Sequence, residues 1–163
     1  MRKLKVSIII VINLILQSTL LQFFNINNII PNTSLILVIC LAINGDRKKG
    51  PLIGFVIGSL QDILFGEIIG LNTLIYLLIG YLISIVNKSI FKENFVIPIV
   101  FTVCGTLMYY IMGTFFIYFF GFNTDLLTIY KDMLIIEIIY NVIIAIFIYK
   151  YIYKIYRPVK NKY

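Results

Sequence analysis

Acidic side chains inside apolar helices are costly to keep in a membrane, so each marks a candidate site. Asp62 and Glu137 are two such acids, with Asn141 one helical turn beyond Glu137 on the same face. Two carboxylates offer acid–base chemistry, or an acidic recess on the outer side for a partner or a solute. The catalytic option lacks its usual company. The sequence has no His, no Ser in a nucleophile-elbow context and no Walker-type glycine loop. Cys40 and Cys104 lie far apart inside apolar runs, without the C-x-x-C spacing of a zinc or redox pair, and read as small apolar fillers. These residue types predict a chain that is not an enzyme and has no metal or cofactor site. For Asp62, Glu137 and Asn141 the structural alternative is a polar knot that ties the helix break at Gly66 to the last apolar span. Lys131 is the base nearest to them in the chain. Tyr109 and Tyr110 either line a cavity or pack with one hydrogen bond each.

The elements that must position these residues are membrane helices. Of the 163 residues 61% are hydrophobic, and the mean hydropathy is +1.00, whereas soluble domains sit near half apolar. The excess lies in long uncharged runs, which predicts an all-α integral membrane protein. The net charge of +7 does not point to nucleic acid, because the basic residues flank apolar runs and form no single stripe.

Six transmembrane helices are predicted, over about 6–24, 29–44, 51–65, 73–86, 95–120 and 133–152, in one membrane domain of residues 1–163. The first follows Arg2, Lys3 and Lys5. No small-x-small cleavage site follows it, only Gln22 to Asn28, so it reads as a retained anchor. Pro31 is tolerated in the first turn of the second span, Pro51 suits the first position of the third, and Asn72 is the expected N-cap of the fourth. Gly66, Glu67 and Gly70 break the chain between those two, and residues 121–132 form the longest loop, with room for a short interfacial helix. With the N-terminus in the cytoplasm and sides alternating, all of the 14 basic residues except Lys131 fall on the cytoplasmic side, as the positive-inside rule requires. Five spans would export the basic tail, so both termini are expected in the cytoplasm. Tyr151, Tyr153 and Tyr156 mixed with Lys154 and Arg157 fit an interfacial belt, and the tail's charge also suits contact with membrane lipid.

The most distinctive stretch is KGPLIGFVIGSLQDILFGEIIGLN, residues 49–72. Gly50, Gly54 and Gly58 fall four apart, and Asp62 falls four after Gly58. On a helix they form one stripe, a smooth groove ending in an acid. Overlapping G-x-x-x-G units let another helix approach to backbone contact within lipid. The neighbour is either another helix of this chain or a helix of a partner protein.

The run from Ile30-Pro31 to Ser84, with GPLIGFVIGSLQDILFGEIIGLNTLIYLLIGYLIS at its centre, resembles the MreD family of rod shape-determining membrane proteins. The later E-I-I-Y-N, Glu137 to Asn141, resembles that family's final span, and length and span number fit over the whole chain. The resemblance places Gly54, Gly58 and Asp62 in the family's signature stripe. It implies a bundle similar to the substrate-binding S-component of energy-coupling-factor transporters, in the bacterial cytoplasmic membrane. It further implies a non-enzymatic scaffold of the cell-wall elongation complex that binds MreC directly. The elongation penicillin-binding protein, RodA and the MreB filament would form the wider complex, and peptidoglycan synthesis and rod shape would be the outcome. The alternative is the S subunit of such a vitamin transporter. Against it, the first span has no alanine for the A-x-x-x-A face those subunits use to dock their energising partner, and the short outer loops carry few polar groups.

Overall fold

The computed structural model describes residues 2–19, 29–46, 48–66, 68–87, 92–94, 96–121 and 126–156, without the side chains of residues 2, 3, 117 and 126–133. The turn Gln22–Asn28, Arg47, Glu67, Lys88, the tail residues Arg157, Lys160 and Lys162, and the side chains of Arg2, Lys3 and Lys131 therefore lie outside the described residues. Among the described residues there are six helices and no strand: α1 (Arg2–Ser18), α2 (Thr33–Asn44), α3 (Gly50–Phe65), α4 (Leu71–Val86), α5 (Val96–Phe119) and α6 (Leu126–Tyr156).

α2 is the core. Its sequence TSLILVICLAIN is apolar on every side, the pattern of a helix surrounded by protein, and all twelve of its residues are buried. At ~1.5 Å per residue it is about 18 Å long, well short of a hydrocarbon layer of ~30 Å. α1, α3, α4, α5 and α6 all pack against it. Leu35, Ile36, Ile39 and Ile43 share one buried apolar cluster with Ile57 of α3, Ile75 and Ile79 of α4, and Ala145 and Tyr149 of α6. The most extensive contact in the fold is between α3 and α4, followed by that between α5 and α6.

The outer faces are apolar too. Ile8 and Ile15 of α1, Phe55 and Ile63 of α3, Phe115 of α5 and Phe147 of α6 are all exposed, an arrangement that suits lipid and not water. α5 and α6 each carry a segment long and apolar enough to cross a membrane, Val96–Phe116 and Leu134–Tyr156. Cys40 is buried as expected of a filler, but Cys104 lies on the exposed face of α5.

Three helix starts differ from the sequence reading. Pro31 precedes α2 rather than entering its first turn, because the Asn32 side chain caps the helix by accepting from Leu35 N–H at 3.0 Å. α4 begins at Leu71, so Asn72 is its second residue and not its N-cap. α6 begins at Leu126, so the predicted long loop is mostly helix. Lys131 and Asp132 signal solvent, and solvent does not end a helix whose residues are ordinary helix formers.

The chain turns gather the helix ends into two opposite layers. At one end the Asn87 side-chain amide donates to the carbonyls of Ala42 and Gly45, both at 2.8 Å, and the Tyr149 hydroxyl donates to the Lys92 carbonyl at 2.9 Å. Partial burial there draws the Lys92 ammonium below its usual pKa, and Asp46 opposes the shift. The other end holds Asp62, Glu137 and Asn141.

Candidate functional site

The glycine stripe of α3 lies against α4. A methyl group built on Gly58 would meet Thr73 Cα at 2.5 Å, one on Gly54 would meet Leu77 N at 2.9 Å, and Gly80 of α4 backs onto Gly50. Small residues let the two backbones touch, which is how helices gain van der Waals contact without a hydrophobic drive. Of the two neighbours open to the stripe, the one that fills it here is a helix of the same chain.

Asp62 ends the stripe and is 2% exposed. Its carboxylate accepts from the backbone N–H groups of Gly70 at 3.0 Å, Asn72 at 3.0 Å and Thr73 at 2.9 Å, and from the Thr73 hydroxyl at 2.5 Å. These are orphan donors of the first turn of α4. The residue in N-cap position, Gly70, has φ +98° and no side chain to offer, so the α3 acid caps α4 from across the turn. A negative charge at a helix N-terminus also meets the positive end of the helix dipole. With four donors on it, Asp62 is a fully employed acceptor.

Glu137 and Asn141 belong to a different cluster. Tyr110 on α5 donates to Glu137 through its hydroxyl. The Asn141 amide donates to Glu137 Oε1 at 3.3 Å and to Thr106 Oγ1 at 3.1 Å, while its Oδ1 accepts from the Asn32 backbone N–H at 3.0 Å. The Asn32 side chain in turn accepts from the Tyr76 hydroxyl of α4 at 2.8 Å. One cluster therefore joins α2, α4, α5 and α6, and it satisfies polar groups that lipid would leave unpaired. No hydrogen bond joins Asp62 to Glu137 or Asn141 among the described residues. Asp62 connects toward that cluster by way of Asn72, whose Oδ1 accepts from the Tyr109 hydroxyl at 2.8 Å. Of the predicted trio, then, the structure brings Glu137 and Asn141 together and turns Asp62 into its own hairpin.

A recess of about 370 Å³ opens over the N-terminal end of α2. The shortness of α2 creates it, because the longer helices around it continue as walls. Gln17, Asn32, Gln61, Tyr109, Tyr110 and Glu137 supply its polar lining. Tyr109 and Tyr110 thus do both things weighed for them: they line a cavity and each makes a hydrogen bond. Buried behind the lining residues Gln17 and Gln61, the Ser34 Oγ lies 2.7 Å from Gln17 Oε1 and 2.8 Å from Gln61 Oε1, and it accepts from the Asn13 amide at 3.2 Å. Sequence reasoning missed Asn13, Gln17, Asn32, Ser34, Gln61, Tyr76 and Thr106. The signal was present for some of them: Asn13 with Gln17 and Thr106 with Tyr110 repeat the four-residue spacing that singled out the glycines.

Chemically the recess is a set of amides, phenols and one carboxyl that recognise polar groups. Among the described residues no group of three or more His, Cys, Asp or Glu comes together to hold a metal ion. Neither curated proteins nor solved structures provide a match. The family described as rod shape-determining protein MreD matches residues 1–159, nearly the whole chain, and the chain therefore belongs to the MreD family of rod shape-determining membrane proteins.

Proposed function

We propose that this chain is a non-enzymatic scaffold of the bacterial cell-wall elongation machinery, with six membrane spans and both termini in the cytoplasm. It sits in the cytoplasmic membrane and binds MreC directly. Through MreC come the elongation penicillin-binding protein, RodA and the MreB filament, and the outcome is where peptidoglycan is made and hence rod shape. Family membership supports the role in shape. The observation that supports the scaffold reading is that Asp62, Glu137 and Asn141 hold helices together: Asp62 caps α4, and Glu137 and Asn141 bind α5, α2 and each other.

Gly50, Gly54, Gly58 and Asp62 act in this reading as the packing set that preforms the surface MreC meets. α4 already fills their face, so MreC contacts the bundle elsewhere. Co-purification of MreC from membranes tests this. The wild type and Gly113→Ala retain MreC, and Gly58→Leu, which cannot close the α3–α4 seam, loses it. Equal recovery of MreC with Gly58→Leu at normal abundance would remove the seam from the mechanism.

The open recess of about 370 Å³ with its polar lining favours one second reading, a substrate-binding subunit of an energy-coupling-factor type transporter. A vitamin-sized molecule co-purifying with the chain, or transporter ATPase genes beside its own, would favour that reading. Adjacent wall-elongation genes favour the scaffold.

A further inference from the structure

Away from the recess, a larger cavity of about 890 Å³ runs between α1 and α6. It exists because α1 is held mainly against α2 and makes only a narrow contact with α6. Ile8, Ile12 and Leu16 of α1 form one wall, Phe147 and Ile152 of α6 the other, and Leu37 of α2 lies between them. Asn13 also borders it, with its amide NH2 donating to Ser34 Oγ at 3.2 Å. α1 starts where α6 finishes, which places Lys5 and Lys154 together at one end of the groove. Both are exposed. The ion pair found among the described residues, Lys49 with Asp46, lies elsewhere.

We infer that this groove holds an anionic phospholipid, its phosphate between Lys5 and Lys154 and an acyl chain along α1 and α6. Length supports this. The eleven steps from Lys5 to Leu16 span about 17 Å, close to the ~15 Å that is half of a bilayer's hydrocarbon core. Charge decides between a lipid and a partner's helix. A partner span obeying the positive-inside rule brings its own lysines and arginines to this end, against Lys5 and Lys154. An anionic headgroup brings the opposite sign, with an attraction that is local and salt-sensitive. The leaflet from which the lipid comes, the cytoplasmic one, and with it the charge clash with a partner span, rests on the topology proposed above; the groove and its two lysines do not.

The test is a lipid titration of the full chain in detergent, with bound lipid counted by native mass spectrometry. Phosphatidylglycerol is expected to bind in preference to phosphatidylcholine. Each lysine contributes about a fivefold factor, so Lys5→Gln with Lys154→Gln lowers phosphatidylglycerol binding about 25-fold. Lys48→Gln with Lys49→Gln, at the same end but off the groove, leaves it unchanged. Equal binding of the two lipids by wild type would overturn the inference. So would an unchanged affinity in the Lys5/Lys154 variant, or an equal loss in the Lys48/Lys49 variant. Labelling of Lys3→Cys by an impermeant thiol reagent from outside the cell would overturn the topology, and with it the leaflet and the charge clash with a partner span, while the titration in micelles, which does not depend on sidedness, still decides whether the groove binds anionic lipid.

Discussion

Replacing Asp62 by alanine removes the acceptor from four hydrogen bonds, three of them from the backbone of the turn into α4. A hydrogen bond to a charged group contributes ~1.5–3 kcal/mol, and a stranded buried donor costs ~1–3 kcal/mol. The whole sum is not lost, because Ile69 and Gly70 are exposed and water entering there re-satisfies part of the turn. A net cost of roughly 3–5 kcal/mol follows, more than the ~0.5–2 kcal/mol of an ordinary N-cap. At ~2–4 °C per kcal/mol for a chain of this size, the melting temperature falls by about 10 °C. Asp62→Asn falls roughly half as far: turned so that its carbonyl serves Gly70 and Thr73, it loses the charge and the Asn72 contact. The chain carries its own reporter. Cys40 is 0% exposed and reacts with a thiol dye only on unfolding, once the exposed Cys104 is replaced by alanine. The reasoning is refuted if Asp62→Ala melts within about 2 °C of its parent, or if Asp62→Asn melts below Asp62→Ala.

The same dye assay reads the further expectations, all but that for Gly58→Leu. Tyr110→Phe leaves Glu137 with the Asn141 amide alone and costs ~1–3 kcal/mol, while Tyr109→Phe, releasing the part-buried Asn72, costs about 1 kcal/mol or less. Gly58→Leu drives a side chain into the α4 backbone and costs ~3 kcal/mol or more, read as lost abundance in membranes. Gly113→Ala goes the other way: its nearest neighbour would be Ile75 Cδ1 at 3.9 Å, so the gain in helix propensity of ~0.5–1 kcal/mol appears as a melting temperature raised by a few degrees. Asn87→Ala cuts two ties to the end of α2 and lowers stability by ~1–3 kcal/mol.

Helix number and the stripe were readable in the sequence because both are local periodic signals. Gly50, Gly54, Gly58 and Asp62 share a face whatever the rest of the chain does. What that face meets is a property of the hairpin, and Gly70 with φ +98° is what brings Thr73 under the acid. The central place of α2 was not readable. TSLILVICLAIN has the composition of any apolar span, and only its shortness hints that it never touches lipid. Asn72 looked like a cap because its type and position suit one. Asp62 does that work from another helix, at a sequence separation that propensity does not see. The apolar span of α6, Leu134–Tyr156, begins where the sequence placed it, but the helix runs back to Leu126, because charges at Lys131 and Asp132 report polarity, not the end of a helix.

The bond from Asn32 to Asn141 spans 109 residues and has a consequence for biogenesis. The amide at the head of α2 acquires its side-chain acceptor only when the last helix has been made. At ~5–20 residues per second that wait is roughly 5–20 s of translation. During it α2, destined for the interior, lacks the neighbour that closes it in. A ribosome stalled before α6 therefore leaves a nascent chain with an open centre and an unpaired donor, a form that membrane proteases can distinguish from the finished protein.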